Sequence, residues 1–398
     1  MSAIKYWIWL ACLENIGAVT AGALLSHFGT PERVYSATEK DYKDVQDIKS
    51  VDVRKLMSKS LDKTDKILAS CSELGYRILT LNDAEYPDRL RNIYNAPLVL
   101  YIKGKLPSID DRPVVAIVGT RNCTQYGISS AESIGYELSR HGIIVISGLA
   151  RGIDSAAMRG ALRGDEKVLA VIGSGIDVIY PPENKKLYDD IAAHGAIISE
   201  YPPGTPPSKG NFPARNRIVS GLSLGVLVIE APKRSGALIT ASQALEQGRD
   251  VFTLPGNVNA RTCEGSNALL REGATPILSA KDIIEEYSEL FPSGIGTKEQ
   301  QTKQQHNMLN GSHNKKVIDN TPRVTYIDVD TILKNLSGHE KTIVSTIGIN
   351  TLHIDEIIVK SGLTAQQVLS TLTILEINGY TKCSSSKQYE VINQKLYA

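Results

Sequence analysis

Six short apolar runs between residues 114 and 254 constrain the fold of this 398-residue chain most strongly. Stretches of helical character, about a dozen residues long, separate most of them. Continuous apolar strands that alternate with helices indicate a parallel sheet covered on both faces. We therefore predict an α/β fold, a Rossmann-like doubly wound parallel sheet. The six runs are Val114–Val118, Ile143–Ile146, Val168–Ile172, Ala196–Ile198, Gly225–Ile229 and Asp250–Leu254.

The sequence on either side of this region has a different character, and its length allows two further domains. Residues 1–85 show helical patterns with Gly-marked turns. They predict either a helix-hairpin-helix that contacts DNA phosphates or a small helical bundle for contacts between domains, and the lack of a basic cluster favours the bundle. The Rossmann-like domain is expected over residues 86–290. Residues 291–330 are rich in polar residues and predict a flexible linker. Residues 331–398 read as three helices and a β-hairpin, the plan of a winged helix.

Composition excludes several classes of protein. The net charge is +1, so any site for a polyanion must be a local cluster of basic groups. The five cysteines lie far apart without CxxC spacing, which predicts no zinc site and fits a reducing cytoplasm. The apolar run Tyr6–Leu13 is interrupted by Glu14 and predicts a first helix, not a signal peptide. No stretch approaches the ~18 apolar residues of a membrane span. We predict a cytoplasmic protein without membrane insertion.

The predicted strand ends carry the most informative residues. Ligands of doubly wound sheets bind beyond the carboxyl ends of the strands. The first run leads into Gly119-Thr120-Arg121, and the second into Ser147-Gly148. Glycine lets a backbone approach a phosphate closely, and a helix N-terminus offers free amides to an anion. Arg121 stands where a dinucleotide fingerprint needs its second glycine, and no turn closes with the G-K-[ST] of a P-loop. The sequence therefore predicts a phosphate site and no cofactor.

Basic residues accumulate near these strand ends. Between residues 209 and 236 there is one acid, Glu230, and the segment Asn211–Ile218 carries two arginines and an asparagine beside Phe212. Arginine pairs with phosphate through a planar fork, and an aromatic ring can stack on an unpaired base. An extended polyanion fits this pattern better than a compact cofactor. The cations of this stretch are Lys209, Arg215, Arg217, Lys233 and Arg234.

Candidate catalytic residues are few. Glu200 and Asp154 are possible general acid or base groups, but no His or Cys lies in a motif with either. Asp154 is explained as an acid at a helix N-terminus, and Glu200 as the ion-pair partner of an arginine. We predict no catalytic residue and no metal. A nucleotide-processing enzyme that uses the same Rossmann-like pocket remains the alternative.

Several ordered motifs across about 170 residues resemble the DprA/Smf family of DNA-processing proteins. The resemblance implies single-stranded DNA binding, a homodimer formed through the Rossmann-like domain, and protection of incoming DNA. It also implies loading of the RecA recombinase onto that DNA during natural transformation. The motifs are Ala116–Arg121, Ser147–Asp154, Tyr180–Asn184, Ser199–Gly204, Phe212–Ile218, Arg234–Thr240, Gly248–Phe252 and Pro255-Gly256.

The same resemblance implies a set of DNA-binding residues. Arg121 and Lys185 would be the principal phosphate-contacting cations, and the dimer and recombinase surfaces would involve Ala241–Gly248 and Leu269-Leu270. The full predicted set is Gly119, Thr120, Arg121, Gly148, Lys185, Phe212, Arg215, Asn216, Arg217, Ser235 and Gly236.

The predicted winged helix departs from the pattern of a duplex reader. Its third helix, expected over Thr364–Gly379, contains Gln366 and Gln367 but no Lys or Arg, and it carries Glu376. Lys382 and Lys387 are placed on the wing. We predict a contact or regulatory role for this module, and a duplex-binding transcription regulator is the weaker alternative.

Overall fold

The computed structural model describes residues 3–13, 16–46, 48–292, 294–295, 336, 338–347, 352–378, 380–383 and 388–391. The chain divides into two compact units, Met1–His313 and Asn314–Ala398. Nearly all of the predicted linker, and Lys387 of the predicted wing, lie outside the described residues. In the part of the chain that is described, no helix has the length and apolar character needed to cross a membrane.

Six helices lie in the described residues before the first strand. The sequence at the start of α3 shows how such a helix begins, because Pro31 occupies its first turn and Thr30 caps it by accepting a hydrogen bond from the amide of Arg33 at 3.3 Å. The helix α4 begins with a capping box between Thr38 and Asp41. These helices are α1 (Ile4–Ala11), α2 (Ala18–Phe28), α3 (Pro31–Ser36), α4 (Glu39–Lys43), α5 (Ser50–Leu56) and α6 (Asp62–Glu73).

A nine-stranded sheet forms the centre of the same unit, in the order β1-β2-β6-β5-β4-β3-β7-β8-β9. The strands from β3 to β9 pair in parallel, whereas β2 pairs antiparallel with β6 and β1 antiparallel with β2. The strands are β1 (Arg77–Thr80), β2 (Val99–Gly104), β3 (Val114–Val118), β4 (Ile144–Ser147), β5 (Val168–Ile172), β6 (Ala196–Ser199), β7 (Gly225–Val228), β8 (Asp250–Thr253) and β9 (Thr275–Pro276).

Eight further helices connect and cover these strands, which confirms the predicted doubly wound α/β fold. They are α7 (Asp88–Arg91), α8 (Gln125–Arg140), α9 (Ile153–Ala161), α10 (Lys185–His194), α11 (Asn211–Leu222), α12 (Gly236–Glu246), α13 (Glu264–Arg271) and α14 (Ala280–Ser288).

Alternate residues of the central strand β3 belong to two different cores. Val115 and Ile117 pack in the layer that also holds residues of α8, α9 and the N-terminal helices. Ala116 and Val118 pack in the layer formed with α11 and α12. All five residues of β3 are buried, so this strand is apolar throughout. Because β4 follows on one side of β3 and β7 lies on the other, the chain reverses direction across the sheet at β3.

In its described residues the second unit has three helices and a three-stranded sheet in the order β10-β12-β11, which confirms the predicted winged helix. A small apolar core, with Ile343, Ile357 and Leu372 among its buried residues, holds the helices together. The elements are α15 (Gly338–Ile347), β10 (Leu352–His353), α16 (Ile354–Ser361), α17 (Ala365–Ile377), β11 (Thr381–Cys383) and β12 (Gln388–Val391).

Candidate nucleic-acid interface

A cleft of about 540 Å³ opens beyond the carboxyl ends of β3, β4 and β7. The turns after these three strands line it, together with the first residues of α11. This position is the point at which the strand order reverses, where doubly wound sheets bind their ligands. We name it the strand-end cleft. It brings together nine of the predicted site residues: Gly119, Thr120, Arg121, Gly148, Phe212, Arg215, Asn216, Ser235 and Gly236.

Arg215 forms the floor of the strand-end cleft. Its side chain is buried, and its guanidinium donates to the carbonyl oxygens of Gly148, at 2.6 Å, and of Val171. The neighbouring carboxylate of Asp154 is also buried and accepts from the amides of Gly148 and Ala150 at 3.2 and 3.3 Å. Arg215 therefore ties the ends of β4 and β5 to α11, on which it lies.

Burial is the main cause of the pKa shifts of Arg215 and Asp154. It lowers the pKa of Arg215 to about 10, and the charge of Asp154 opposes that shift. Burial also raises the pKa of Asp154, against the influence of Arg215 and of the two amides. Asp154 is thus an internal partner of Arg215, as Glu200 is of Arg217, whose guanidinium lies 2.6 Å from the Glu200 carboxylate. The expectation that Glu200 pairs with an arginine is confirmed.

Two glycines of the cleft are required by the protein's own packing. A Cβ on Gly119 would lie 2.6–2.9 Å from the side chain of Ile153. A Cβ on Gly148 would lie 2.4 Å from the guanidinium of Arg215 and 2.8 Å from the carboxylate of Asp154. Gly236 differs, because a Cβ there would meet no atom within 4 Å. Close packing of α9 and Arg215 therefore explains the first two glycines without a ligand.

An aromatic pair stands at one wall of the cleft. The rings of Tyr180 and Phe212 lie 5.6 Å apart between centroids, with an interplanar angle of 33°. The guanidinium carbon of Arg121 lies 5.5 Å from the centroid of Phe212, in cation–π geometry. Tyr180 is 38% exposed. The arrangement presents an accessible ring beside an accessible positive charge.

Three exposed cations line the strand-end cleft: Arg121, Lys209 and Arg234. Over the residues that the structure describes, none of the three forms an ion pair. The acid among the lining residues is Asp154, which is buried against Arg215. The accessible surface of the cleft is therefore positive, although the chain as a whole is almost neutral.

The start of α12 forms the opposite wall. The hydroxyl of Ser235 accepts a hydrogen bond from the amide of Ala237 at 3.3 Å and so caps the helix. The amide nitrogen of Asn216 donates to the carbonyl oxygen of Gly236 at 3.3 Å. Asn216 also accepts from the Nε of Arg215 at 3.2 Å. These bonds fix the positions of three predicted site residues relative to the buried arginine.

The turn after β3 is held from the end of β7. The amide of Thr120 donates to the carbonyl oxygen of Glu230 at 2.7 Å. The buried carboxylate of Glu230 accepts from the amide and hydroxyl of Thr124, at 2.9 and 2.5 Å, at the start of α8. Glu230, which the sequence marked only as an acid among cations, thereby positions the turn that carries Arg121.

Two predicted site residues lie outside the strand-end cleft. Lys185 begins α10 and is exposed, but it does not line the cleft. Arg217 points to the other side of α11, where it pairs with Glu200. Helical geometry explains the second case, because residues two apart on a helix do not share a face. Their closeness in the sequence predicted that Arg215 and Arg217 share one site, but they lie on different faces of α11.

The aromatic and cationic lining residues that were absent from the predicted set are Tyr180, Lys209 and Arg234. Lys209 lies three residues before Phe212, and Arg234 lies directly before the cap of α12. Both belong to the run of cations noted in the sequence. The signal was therefore present, but the order of the strands was needed to show which cations share one cleft. No group of three or more potential metal ligands occurs in the described part of the chain.

The fold and the cleft define a two-unit protein, a doubly wound sheet with a cationic strand-end cleft followed by a winged helix. Residues 77–288 match the family model described as DNA recombination-mediator protein A, and residues 331–382 match the DprA winged helix domain. The chain belongs to the DprA/Smf family, whose members are DNA-binding recombination mediators.

Individual relatives agree with this assignment. Protein Smf of Synechocystis is 32% identical over 405 residues, which cover 97% of this chain and 98% of that protein. The DNA processing protein DprA of Bacillus subtilis is 40% identical over 242 residues, 61% of this chain and 82% of that protein. The X-ray structure of DprA from Streptococcus pneumoniae superposes with a TM-score of 0.64 at 35% identity, covering 71% of this chain and 97% of that one.

Proposed function

We propose that the strand-end cleft binds the sugar–phosphate backbone of single-stranded DNA. The observation that carries this proposal is the exposed trio Arg121, Lys209 and Arg234 beside the rings of Tyr180 and Phe212. Cations that track phosphates and rings that stack on bases are the two parts of a site for single strands. A duplex offers no unpaired base to such rings.

Within this proposal the residues have different tasks. Arg121, Lys209 and Arg234 contact phosphates, and Tyr180 and Phe212 receive a base. Arg215, buried with Asp154, holds the loops in position. Asn216, Ser235 and Gly236 form the wall next to the start of α12, whereas Gly119, Thr120 and Gly148 shape the turns. Lys185, outside the cleft, would contact only a strand that extends beyond it, whereas Arg217 pairs with Glu200 on the other side of α11 and contacts no DNA.

We propose that the protein protects incoming DNA and loads a RecA recombinase onto it during natural transformation, in the cytoplasm and as a homodimer. Support comes from the family, which the matching model describes as a recombination mediator. Further support comes from α12, whose exposed Ile239 and Leu245 lie in or beside the segment Ala241–Gly248 expected to contact a partner. Apolar side chains exposed on one helix suit a protein interface.

We propose four parts for the chain, with a helical part up to about residue 85, a Rossmann-like part to residue 290, a linker to residue 330 and a winged helix. The strand β1 lies at residues 77–80 and pairs with β2 in the central sheet. The matched family segment also begins at residue 77. Both observations favour moving the first boundary to about residue 76.

The test is a fluorescence anisotropy titration of the full chain with a labelled oligothymidylate and with a duplex of equal length. We expect tighter binding of the single strand, and about a 100-fold loss for the variant Arg121→Ala, Lys209→Ala, because each charge-assisted contact contributes ~1.5 kcal/mol or more. Lys281→Ala, an exposed cation on α14, is the matched control. Unchanged affinity in the double variant would remove the cleft as the DNA site.

A variant that combines Arg121→Ala with Lys185→Ala tests whether Lys185, predicted from the sequence, or Lys209, which lines the cleft, contacts the DNA. We expect Arg121→Ala, Lys185→Ala to bind more tightly than Arg121→Ala, Lys209→Ala. The opposite ranking would restore Lys185 to the site. Addition of RecA to the protein–DNA complex, followed by measurement of filament formation, tests the mediator role separately.

A further inference from the structure

A second cavity, of about 530 Å³, lies between α7, α11 and α12. Its lining includes Arg89, Arg217, Gln243, Gln247 and Arg249. None of these residues lines the strand-end cleft, which lies on the other side of α11. We name it the α7–α12 cavity. The DNA site proposed above does not use it.

Unpaired buried polar atoms are concentrated at this cavity. Across the described residues, six buried side-chain nitrogen or oxygen atoms have no hydrogen-bond partner, and four of them belong to residues that line it. They are the Nη1 of Arg89, the Nε of Arg249, and the Oε1 atoms of Gln243 and Gln247. Buried polar groups are almost always paired, so four exceptions at one place require an explanation.

The two glutamines are fixed as acceptors. The amide nitrogen of Gln243 donates to the carbonyl oxygen of Pro213 at 3.3 Å, and that of Gln247 donates to the carbonyl oxygen of Arg217 at 3.1 Å. Exchanging the nitrogen and oxygen of either amide would set two oxygen acceptors against each other. The occupant must therefore offer hydrogen-bond donors to the two remaining oxygens.

The two arginines are fixed as donors with positive charge. Arg249 donates through Nη2 to the carbonyl oxygens of Arg89 and Gly221, at 3.0 and 3.2 Å. Arg89, 10% exposed, donates through Nη2 to the carbonyl oxygens of Asp110 and Arg112, both at 2.8 Å. Its nearest carboxylate, Asp110, lies 4.0 Å away and is 37% exposed. The guanidiniums of Arg89, which is nearly buried, and of Arg249, which is partly buried, thus have one carboxylate near them, at the edge of ion-pair distance.

Burial lowers the pKa of both arginines, and the charge of Arg249 lowers the pKa of Arg89 further. An anion between them would relieve both effects, because opposite charge favours the protonated guanidinium. Asp88 and Glu246 also line the cavity. These acids disfavour a polyanion such as DNA and suit a small molecule that carries donors as well as one anionic group.

We propose that the α7–α12 cavity binds a small molecule that presents one oxyanion, a phosphate or a carboxylate, to Arg89 and Arg249. Its remaining groups donate hydrogen bonds to Gln243 and Gln247. A cavity of this volume holds a ligand of up to mononucleotide size. The proposal is independent of the strand-end cleft, since it assigns a different ligand to different residues.

Isothermal titration calorimetry of the full chain tests it, with AMP, ribose 5-phosphate, inorganic phosphate and L-aspartate as separate probes. The first three distinguish a phosphate with donors from phosphate alone, and L-aspartate represents a carboxylate with an ammonium donor. We expect binding of AMP and ribose 5-phosphate or of L-aspartate, each tighter than inorganic phosphate. Absence of binding for all of them at about millimolar concentration would overturn the proposal.

Variants locate the site. Arg249→Gln should weaken the binding probe by about 10-fold or more, because it removes a charge-assisted donor. Glu246→Gln, at an exposed position, should strengthen it about two-fold by removing a nearby acid, and this gain cannot come from misfolding. Arg121→Ala, Lys209→Ala should leave probe binding unchanged. Loss in that double variant, with no effect of Glu246→Gln, would place the ligand in the strand-end cleft and overturn the assignment.

Discussion

The strand-end cleft and the third helix of the winged helix, α17, are both places where DNA-binding proteins contact DNA, and their surfaces differ. The cleft exposes Arg121, Lys209 and Arg234. The helix α17 contains no Lys or Arg, and it exposes Leu369 and Ile374. The helix that reads DNA in this kind of fold is therefore present without basic side chains. Function follows the placement of side chains, and the architecture alone does not specify it.

The two regions also differ in what supports their exposed residues. The loops of the cleft are held by two neighbouring buried charges, Arg215 and Asp154, which bond to the loop backbone, and by Glu230 under the turn of Arg121. The helix α17 is held by apolar contacts, with Val368, Leu372 and Leu375 in its core. Buried charges are costly unless their interactions compensate them. They lie under the cleft but not in the described part of the core around α17, so the precise positions of loops matter at the cleft.

The largest expected effect comes from breaking the support of the cleft. Arg215→Met should lower the free energy of unfolding by ~3–5 kcal/mol, because it leaves the buried Asp154 without its partner. Urea denaturation followed by circular dichroism measures this loss. Arg215→Met with Asp154→Asn should cost less than the single change. A loss below ~1 kcal/mol in the single variant would show that the pair does not support the cleft.

The next effect concerns salt. Each phosphate contact on a single strand contributes ~0.7 to the slope of log affinity against log salt concentration. Removal of Arg121 and Lys209 together should therefore flatten that slope by ~1.4. Titrations at several salt concentrations, with Lys281→Ala as control, provide the measurement. An unaltered slope would mean that neither side chain neutralises a phosphate.

A smaller effect is expected from the aromatic wall. Phe212→Ala should weaken binding of a single strand by ~1–3 kcal/mol, the usual contribution of stacking one base. The salt slope should not change, since no charge is lost. Phe212→Leu, which keeps an apolar side chain without a ring, separates stacking from packing. Equal affinity of the wild type and the alanine variant would exclude a stacked base at this ring.

The smallest expected effect comes from substitutions on the helix α17 of the winged helix. Gln366→Ala on α17 should change the affinity for single strands and duplexes less than about two-fold, since α17 carries no basic side chain. Gln366→Lys with Leu369→Lys should raise duplex affinity by a few-fold, because both positions are exposed. A strong loss in the alanine variant would make the winged helix a DNA reader after all.

Much of the fold follows from local pattern. The six apolar runs lie within one residue of β3 to β8, because a strand buried on both faces is continuously apolar. The edge strands β1 and β9 were not predicted. β1 begins with the exposed Arg77 and ends with Thr80, and β9 has two residues, one of them Pro276, so neither shows a continuous apolar run.

The site was less accessible to sequence reasoning, for a spatial reason. Gly119 and Gly148 look like phosphate-binding glycines, yet each is required by a neighbour distant in sequence, Ile153 in one case and Arg215 in the other. The sequence does not distinguish Lys185 from Lys209, and only the position of each segment relative to the sheet shows that Lys209 lines the cleft. Assignments of this kind depend on contacts between segments, which a single sequence does not reveal.

The near neutrality of the chain around a positive cleft has a kinetic consequence. With a net charge of +1, the field of the cleft is lost within a Debye length, about 8 Å at physiological ionic strength. Association with DNA should then proceed without long-range steering, at ~10⁵–10⁷ M⁻¹s⁻¹. Such a protein would spend little time on the duplex DNA that surrounds it in a cell, and would be retained only where an unpaired strand enters the cleft.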